Sequence, residues 1–344
     1  MRHMRAVAVT LAILIAASLI LVKVLAQPAP HSPASQPRAV PKRLTRVSTV
    51  QDLKEVNYYP AVGGWAYMWS NFHPGVIDRD FARIRGLDAN TVRIFIQPSV
   101  FGFPTARSVM VHRLSEVIGL AAKHSLRVHL TLFDLWSQFS DIQGSKEWVS
   151  SLLSGYRDDP RIAVVELRNE LNPQDGQAVA WATKMLPYLS TVMPGTLRTV
   201  SIASVPPAKF AVFVNDLKNS PLNFWDYHYY GPPQEAYFLL SRIKALAAPR
   251  PLFVGETGYS TVGTFGDQGA RMQRQAAYYR AVFAAAAALG LPDPAPWTLN
   301  NFAPQAIPPG SAANDPAQYG YGLFKINGTA KPAAAVVRRA FSGN

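Results

Sequence analysis

Short apolar, β-prone runs alternate with amphipathic helical patterns from residue 51 to the end of the chain. This alternation is typical of β-α-β units, in which a helix returns the chain so that successive strands run parallel. The predicted strands lie at residues 56–62, 90–96, 127–133, 162–168, 199–203, 223–229, 252–256 and 295–299. Helical spacing of apolar residues predicts helices at residues 77–85, 109–124, 177–191, 208–217, 234–247, 268–289 and 333–341.

This strand and helix order favours a single α/β domain, a closed (β/α)8 TIM barrel, over an open doubly wound sheet. Such barrels use about 250 residues, and residues 51–344 are long enough to supply one. No glycine-rich phosphate-binding motif follows a predicted strand. A nucleotide-binding fold is therefore disfavoured, and no cofactor is expected.

The net charge of +13 is concentrated at the amino terminus, where residues 1–50 contribute +7 and contain no acid. The remaining +6 is spread over residues 51–344. A surface of this kind does not indicate a nucleic-acid partner. The absence of cysteine excludes disulfides, thiolate chemistry and cysteine-based zinc sites.

The first 26 residues have the layout of a signal peptide. Arg2 and Arg5 precede an apolar run at residues 6–22, and small residues near Ala26 fit a cleavage site. An uncleaved signal anchor is the alternative, since the run is close to the length that spans a bilayer. Either interpretation predicts an exported protein, secreted, periplasmic or membrane-anchored. Residues 27–50, rich in proline and basic side chains, are predicted to be a flexible linker.

Polar and aromatic side chains cluster at the predicted strand ends, where barrel enzymes carry their chemistry. The fourth strand ends in Asn169-Glu170, and the seventh ends in Glu256. The ends of the other strands supply Arg93, Asp134, Trp136, His228, Tyr230 and Trp297.

This constellation resembles clan A of the glycoside hydrolases, with the family 5 cellulase and mannanase group as the most similar. The resemblance covers residues 55–344 and includes Arg93, the Asn169-Glu170 pair, Glu256 and the closing stretch Tyr321-Gly322-Leu323-Phe324. One departure stands out, because many family 5 members have a histidine at the end of the third strand. Here that region reads Asp134-Leu135-Trp136.

The resemblance implies that Glu170 is the catalytic acid/base and Glu256 the nucleophile. Glycosidic cleavage needs both an acid and a carboxylate, and a separation of about 5–5.5 Å gives retention by double displacement. We expect Glu170 to be protonated and Glu256 ionised in the resting enzyme. Four supporting roles are expected: Arg93 and Tyr230 beside Glu256, His228 beside Glu170, and Asn169 on the sugar 2-hydroxyl.

Aromatic side chains near the predicted strand ends can stack on sugar faces. The predicted substrate-binding aromatics are Trp297, Trp136, Trp65, Trp69 and Tyr259, with Tyr67 and Phe302 as further candidates. Asp134 is either a substrate contact or a helix cap. We further expect an internal ion pair between Glu166 and Arg168 and a satisfied core environment for His129. No His, Asp and Glu cluster has ligand spacing, so no metal is predicted.

Three functions remain open at the level of the sequence. The first is a retaining enzyme that cleaves within a β-linked polysaccharide of the glucan or mannan type. The second is an exo-acting or transglycosylating enzyme of cell-envelope glycans, in which the loop at residues 301–318 closes one end of the cleft. The third is a non-catalytic carbohydrate-binding barrel. An oligosaccharide or polysaccharide is the expected partner, and a monomer is the expected state.

Overall fold

The computed structural model describes residues 44–343, which belong to one compact unit, Lys42–Asn344. The predicted signal segment and residues 27–43 of the predicted linker lie outside the described residues. The strands are β1 (Glu55–Asn57), β2 (Thr91–Phe95), β3 (Arg127–Thr131), β4 (Ile162–Glu166), β5 (Leu197–Thr199), β6 (Ser201–Ile202), β7 (Trp225–Tyr229) and β8 (Leu252–Thr257). None of the helices between residues 44 and 343 is both long enough and apolar enough to cross a membrane.

The helices lie between successive strands, as the alternation predicts. They are α1 (Ala66–Ser70), α2 (Pro74–Gly86), α3 (Pro98–Phe101), α4 (Ser108–Lys123), α5 (Ile142–Leu153), α6 (Gly176–Val192), α7 (Pro207–Leu217), α8 (Ala236–Ala247), α9 (Gln268–Ala288) and α10 (Pro332–Ser342). Helix α5 was not predicted, because Gly144 and three serines dilute its helical pattern. Its start is marked by Asp141, whose side chain accepts the Gly144 N–H.

All strand pairs are parallel, which confirms the α/β class. Strands β1 to β5 form one sheet in chain order, and β6 to β8 form a second. The fifth predicted strand is divided into β5 and β6, which flank Val200 and each pair with one sheet. The predicted sixth and seventh strands are therefore β7 and β8.

The eighth predicted strand, at residues 295–299, forms a single parallel bridge at Pro296 instead of a regular ladder. Proline has no backbone N–H to donate, which explains the interruption. The segment still bonds on both sides. The Trp297 N–H donates to Thr257 O of β8, and the Asn57 N–H of β1 donates to Pro296 O.

Strand side chains alternate between an apolar face against the helices and a polar face towards the interior. In β2, for example, Val92 and Ile94 are buried and apolar, whereas Thr91 and Arg93 are buried and polar. The fully buried polar set includes Glu55, Asn57, Thr91, Arg93, His129, Thr131, Glu166, Asp226 and His228. The interior face of the strands is therefore polar and charged rather than apolar, and it lies beneath the carboxyl ends of the strands.

The end of the predicted linker is part of the folded body. Val47 and Val50 are buried and pack with Leu53. This cluster, the amino-terminal plug, is completed by Ala163, Val164, Leu197, Phe224, Phe253 and Ala295. The folded domain therefore begins before residue 51, the predicted boundary, because apolar residues ahead of it pack near the amino-terminal ends of several strands.

Candidate active site

The two predicted catalytic carboxylates lie in one cavity of about 330 Å³. Glu256 is on β8, and Glu170 lies just beyond the end of β4. One carboxylate oxygen of each lies within 4.8 Å of the other. The cavity is also lined by Tyr59, Trp65, Phe95, Asp134, Leu135, Asn169, Tyr230, Trp297, Ser311, Ala312, Gln318 and Tyr321.

Arg93 connects this cavity to the charged interior. Its Nη1 donates to Glu256 Oε1 at 2.5 Å, and its Nη2 donates to Asn169 Oδ1 at 2.9 Å. Nε and Nη2 both donate to Glu166 Oε2, at 2.9 and 2.7 Å. Burial lowers the pKa of the Arg93 guanidinium, but Glu166 and Glu256 outweigh burial and raise it. Arg93 is therefore a permanent cation beside Glu256.

The predicted ion pair between Glu166 and Arg168 is wrong. Glu166 faces the interior and binds Arg93 instead. Arg168 is two residues further along, beyond the end of β4, where its guanidinium donates to the backbone carbonyls of Trp136, Asn169 and Glu170.

Glu256 is held by two hydrogen-bond donors. Besides Arg93, the Tyr230 hydroxyl donates to Glu256 Oε2 at 2.9 Å. The side chain is only 7% exposed, and its open edge faces the cavity. A carboxylate that is fixed by a guanidinium and a hydroxyl and still open to the cavity has the environment that a nucleophile needs.

Glu170 is paired with His228, whose Nδ1 lies 2.8 Å from Glu170 Oε1. Burial lowers the pKa of His228, but Glu256 and Glu170 raise it to about 9. Burial likewise raises the pKa of Glu170, but the hydrogen bond and charge of His228 lower it. These directions favour a proton on His228 rather than on Glu170 in the unliganded site, because Nδ1 of His228 lies 2.8 Å from Glu170 Oε1 and 3.5 Å from Glu256 Oε2. The expectation of a protonated resting Glu170 stays a prediction.

The backbone around the cavity is strained at several positions. Glu170 has a φ of 49°, and its N–H donates to Ser201 Oγ at 2.8 Å. Trp65, Phe133 and Leu135 also have positive φ angles, of 45°, 46° and 56°. Non-glycine residues rarely adopt this region, and such strain tends to concentrate at functional sites.

The predicted substrate-binding aromatics divide into two groups. Trp297 and Trp65 line the cavity, with ring centroids 6.0 Å apart. Trp69 is fully buried and donates its indole N–H to Phe95 O, so its predicted contact with sugar is wrong. Trp136 does not line the cavity either, since its ring packs on Phe103.

Tyr259 lies outside the catalytic cavity, in an adjoining one that shares Tyr230 and Tyr321 with it. Phe302, a further candidate, is buried against Trp65. Tyr67 does not line the catalytic cavity. Neighbouring aromatic residues around helix α1 therefore have different environments, and no local pattern distinguishes them.

Several lining residues were not predicted, among them Tyr59 and the loop residues Ser311, Ala312 and Gln318. Tyr59 lies within the predicted first strand at residues 56–62, where an aromatic side chain cannot be distinguished from core. The helix-cap alternative for Asp134 is wrong, because the next helix begins at Ile142 and is capped by Asp141. The Asp134 carboxylate instead accepts a bond from Gln97 Nε2 at 2.9 Å.

Within residues 44–343, two groups have the composition of a metal site, His129 with Glu166 and Asp226, and Glu170 with His228 and Glu256. In the first, Glu166 Oε2 already accepts bonds from Thr131 and Arg93. The second is bonded to Arg93 and Tyr230. A bound cation would have to compete with the adjacent guanidinium, so neither donor set favours a metal.

His129 is fully buried, as expected for a core histidine, but only half of its hydrogen-bonding capacity is used. Nδ1 lies 3.0 Å from Glu55 Oε2, whereas Nε2 lies 3.5 Å from Glu166 Oε2 and makes no hydrogen bond of normal geometry to any of residues 44–343. Burial lowers the pKa of His129, and Glu55 and Glu166 raise it to about 9. The histidine is therefore a buried cation within the charged interior.

Solved glycoside hydrolases share this fold, although no protein-family model and no curated protein matches the sequence. An exo-beta-1,4-mannosidase from Opitutaceae bacterium strain TAV5 matches with a TM-score of 0.68 at 19% identity, covering 84% of this chain and 59% of that one. A GH5_18 protein from Streptomyces cattleya in complex with GlcNAc matches at 0.66 and 19%, covering 87% and 80%. A GH2 beta-galacturonidase from Eisenbergiella tayi bound to galacturonate matches at 0.64 and 12%, covering 85% and 51%. These matches confirm, at the level of the fold, the resemblance to clan A glycoside hydrolases.

Proposed function

We propose that the two sheets form one closed (β/α)8 barrel with the cavity at its mouth. Strands β5 and β6 are consecutive in the chain and pair with different sheets, which supports continuity at that point. The segment at residues 295–299 bonds to both β8 and β1, which supports closure on the other side. The amino-terminal plug then covers the opposite end of the barrel.

We propose that the protein is an exported retaining glycoside hydrolase acting on a β-linked glycan of the glucan or mannan type. The observation that carries this proposal is the approach of the Glu170 and Glu256 oxygens to within 4.8 Å. Retaining enzymes keep their carboxyl groups about 5–5.5 Å apart, whereas inverting enzymes need about 6.5–9.5 Å to admit a water molecule. The cavity geometry therefore favours double displacement.

In the first step, Glu256 attacks the anomeric carbon while Glu170 protonates the departing glycosidic oxygen, giving a covalent glycosyl-enzyme. In the second, Glu170 takes a proton from water, which attacks the same carbon and releases Glu256. The proton that Glu170 donates is the one shared with His228. Transfer from His228 to Glu170 on substrate binding supplies the acid, and the same histidine can hold that proton between turnovers.

Exo action is the second candidate, and the loop after residue 301 favours it. Ser311, Ala312 and Gln318 form part of the cavity wall, and the indole N–H of Trp297 donates to Gln318 Oε1 at 3.1 Å. A wall at this position limits how much of a chain can extend beyond the cleavage point. The length of the products released from a defined β-linked hexasaccharide distinguishes exo from endo action, and it also reveals transglycosylation.

The hydrolysis proposal is tested with Glu170→Gln and Glu256→Gln. Loss of general acid catalysis costs roughly 10²–10⁴-fold in kcat, and loss of the nucleophile abolishes turnover. Glu147→Gln, an exposed glutamate on α5, is the matched control and should retain full activity. Azide rescue of Glu256→Ala, with formation of an azido-sugar, identifies the nucleophile. Full turnover by both variants would refute the proposal, and binding without cleavage by the wild-type protein would favour the non-catalytic alternative.

A further inference from the structure

Asp134 is a buried carboxylate that faces the cavity and is only partly bonded. It is 3% exposed, and its Oδ2 accepts the hydrogen bond from Gln97. Its Oδ1 makes no hydrogen bond to any residue in the described range 44–343. Because charged groups are rarely buried without partners, one acceptor of Asp134 is available to something that enters the cavity.

The hydroxyl of Tyr59 is the complementary donor. It is buried and, among the residues that the structure describes, it makes no hydrogen bond of normal geometry, although the Asp134 carboxylate lies near enough to be its weak acceptor. Tyr59 lines the same cavity, and its ring is fixed by stacking on Trp65 and Phe95, with centroids 5.0 and 5.1 Å away. Burial and then the negative charge of Asp134 raise the pKa of Tyr59, so the hydroxyl stays protonated beside the carboxylate.

The backbone fixes the position of Asp134 as well. Its neighbours Phe133 and Leu135 both have positive φ angles, and its own N–H donates to Ile96 O at 3.1 Å. A strained turn that positions a buried and underbonded carboxylate indicates a binding role rather than a packing role.

We propose that Asp134 and Tyr59 bind a single ring hydroxyl of the sugar in the cavity and thereby determine which hexose is accepted. This inference rests on the proposed function. A sugar hydroxyl can donate to Asp134 Oδ1 and accept from Tyr59 at once, because a hydroxyl has one proton and two lone pairs. An epimer or deoxy sugar without that hydroxyl leaves a buried acceptor and a buried donor unpaired. Sites of this type discriminate strongly.

The test measures sugar binding, so that it does not depend on turnover. In a Glu170→Gln background, methyl β-glycosides of mannose, glucose and galactose and their monodeoxy analogues are titrated by calorimetry. We expect one deoxy position to weaken binding by about 10- to 100-fold, the range for a hydrogen bond to a charged group. Adding Asp134→Asn or Tyr59→Phe should weaken binding of the parent glycoside by at least about 10-fold and remove the discrimination at that position.

A neighbouring pair of the same residue types supplies the control. Tyr58 donates to Asp80 Oδ2 at 3.1 Å, and both are buried but do not line the cavity. Tyr58→Phe and Asp80→Asn should leave the deoxy discrimination intact. The proposal would be overturned if the discrimination persisted in the Asp134→Asn variant, or if no glycoside bound to the Glu170→Gln protein.

Thermal stability separates binding from packing. Burial raises the pKa of Asp134 to about 6, which means that ionisation disfavours the folded state at pH 7. Asp134→Asn removes that charge, so its melting temperature at pH 7 should not fall below that of the parent. A carboxylate needed only for packing would give a clear decrease and would overturn the proposal. Hydrolysis by the wild-type protein is assayed separately. If the wild-type protein binds glycosides without cleaving them, hydrolysis is refuted but the role of Asp134 and Tyr59 is not. If it cleaves them while the Asp134→Asn and Tyr59→Phe variants keep full discrimination, only the role of the pair is refuted.

Discussion

At the residue scale, buried charges control the cavity. Arg93 is fully buried, yet all of its nitrogens are bonded, to Asn57, Thr131, Glu166, Asn169 and Glu256. Burying a guanidinium is costly unless each donor finds an acceptor. The interior meets this requirement with acceptors from several strands, so the position of Glu256 is determined by the whole network.

The Glu170 and His228 pair leads to a pH prediction. Because the pair shares one proton, its upper apparent pKa corresponds to the value of about 9 for His228. Above that pH the pair loses the proton needed by the leaving group. We expect the alkaline limb of kcat/KM near pH 9 in the wild-type protein. In His228→Gln no cation stores the proton, so the limb should move several pH units lower, towards the pKa of Glu170 alone.

The measurement is the pH dependence of kcat/KM on an aryl β-glycoside accepted by the wild-type protein. His112→Gln, at an exposed position of helix α4 that does not line the cavity, serves as the control and should leave the limb unchanged. The titratable and charged groups that interact with the His228 ring include Glu170, Glu256, Arg93 and Asp226. An alkaline limb at the same pH in His228→Gln would show that the pair does not supply the proton.

At the element scale, the loop after residue 301 is fastened at defined points. Gln318 accepts from Trp297 and lies in the short helix Pro316–Gly320. Lys331 donates to Gly320 O at 2.9 Å and to Thr261 at 3.0 Å. These bonds connect the loop to the end of the chain and to the segment after β8, so the cavity wall is an ordered part of the structure.

Gln318→Ala removes the bond between the loop and the Trp297 indole. We expect the wall to loosen and the ratio of activity on a β-linked hexasaccharide to activity on an aryl monoglycoside to rise several-fold. The free energy of unfolding should fall by only about 1 kcal/mol, the usual contribution of one hydrogen bond. Gln143→Ala, an exposed change on α5, is the control. An unchanged activity ratio would argue against the loop as a limit on chain length.

At the scale of the whole molecule, apolar and charged regions are separated along the strands. The carboxyl ends surround the charged cavity, whereas the first residues of the strands meet the amino-terminal plug. The residues that stabilise the fold and those that line the cavity therefore lie at opposite ends of the strands, as expected for the proposed (β/α)8 barrel. Changes at the plug should consequently affect folding more than catalysis.

Leu53→Ala tests this separation. Leu53 is 1% exposed within the plug, and large-to-small changes at such sites cost about 2–5 kcal/mol. We expect the free energy of unfolding in urea to fall by that amount, with KM unchanged at temperatures where the protein stays folded. Val212→Ala, at a half-exposed position on α7, should stay within about 0.5 kcal/mol of wild type. A large rise in KM with little loss of stability would contradict the assignment.

The sequence by itself determined the order of the strands, most helix boundaries and the position of Glu170 and Glu256 at strand ends. These features follow from local rules, because side-chain alternation and helical periodicity are properties of neighbouring residues. The resemblance at the strand ends likewise led to Asn169, Arg93, His228 and Tyr230, which the structure brings to the same cavity or to its carboxylates.

Only the tertiary structure decided which groups meet across the chain. Glu166 pairs with Arg93 from another strand and not with Arg168 two residues away. Trp65 lines the cavity and Trp69, four residues later, is buried beneath it. Glu170 meets His228 from another strand end, and Asp134 faces the cavity instead of capping a helix. In each case burial and partners come from distant segments, so the charge state and direction of a side chain are decided by packing and not by the residues beside it in the chain.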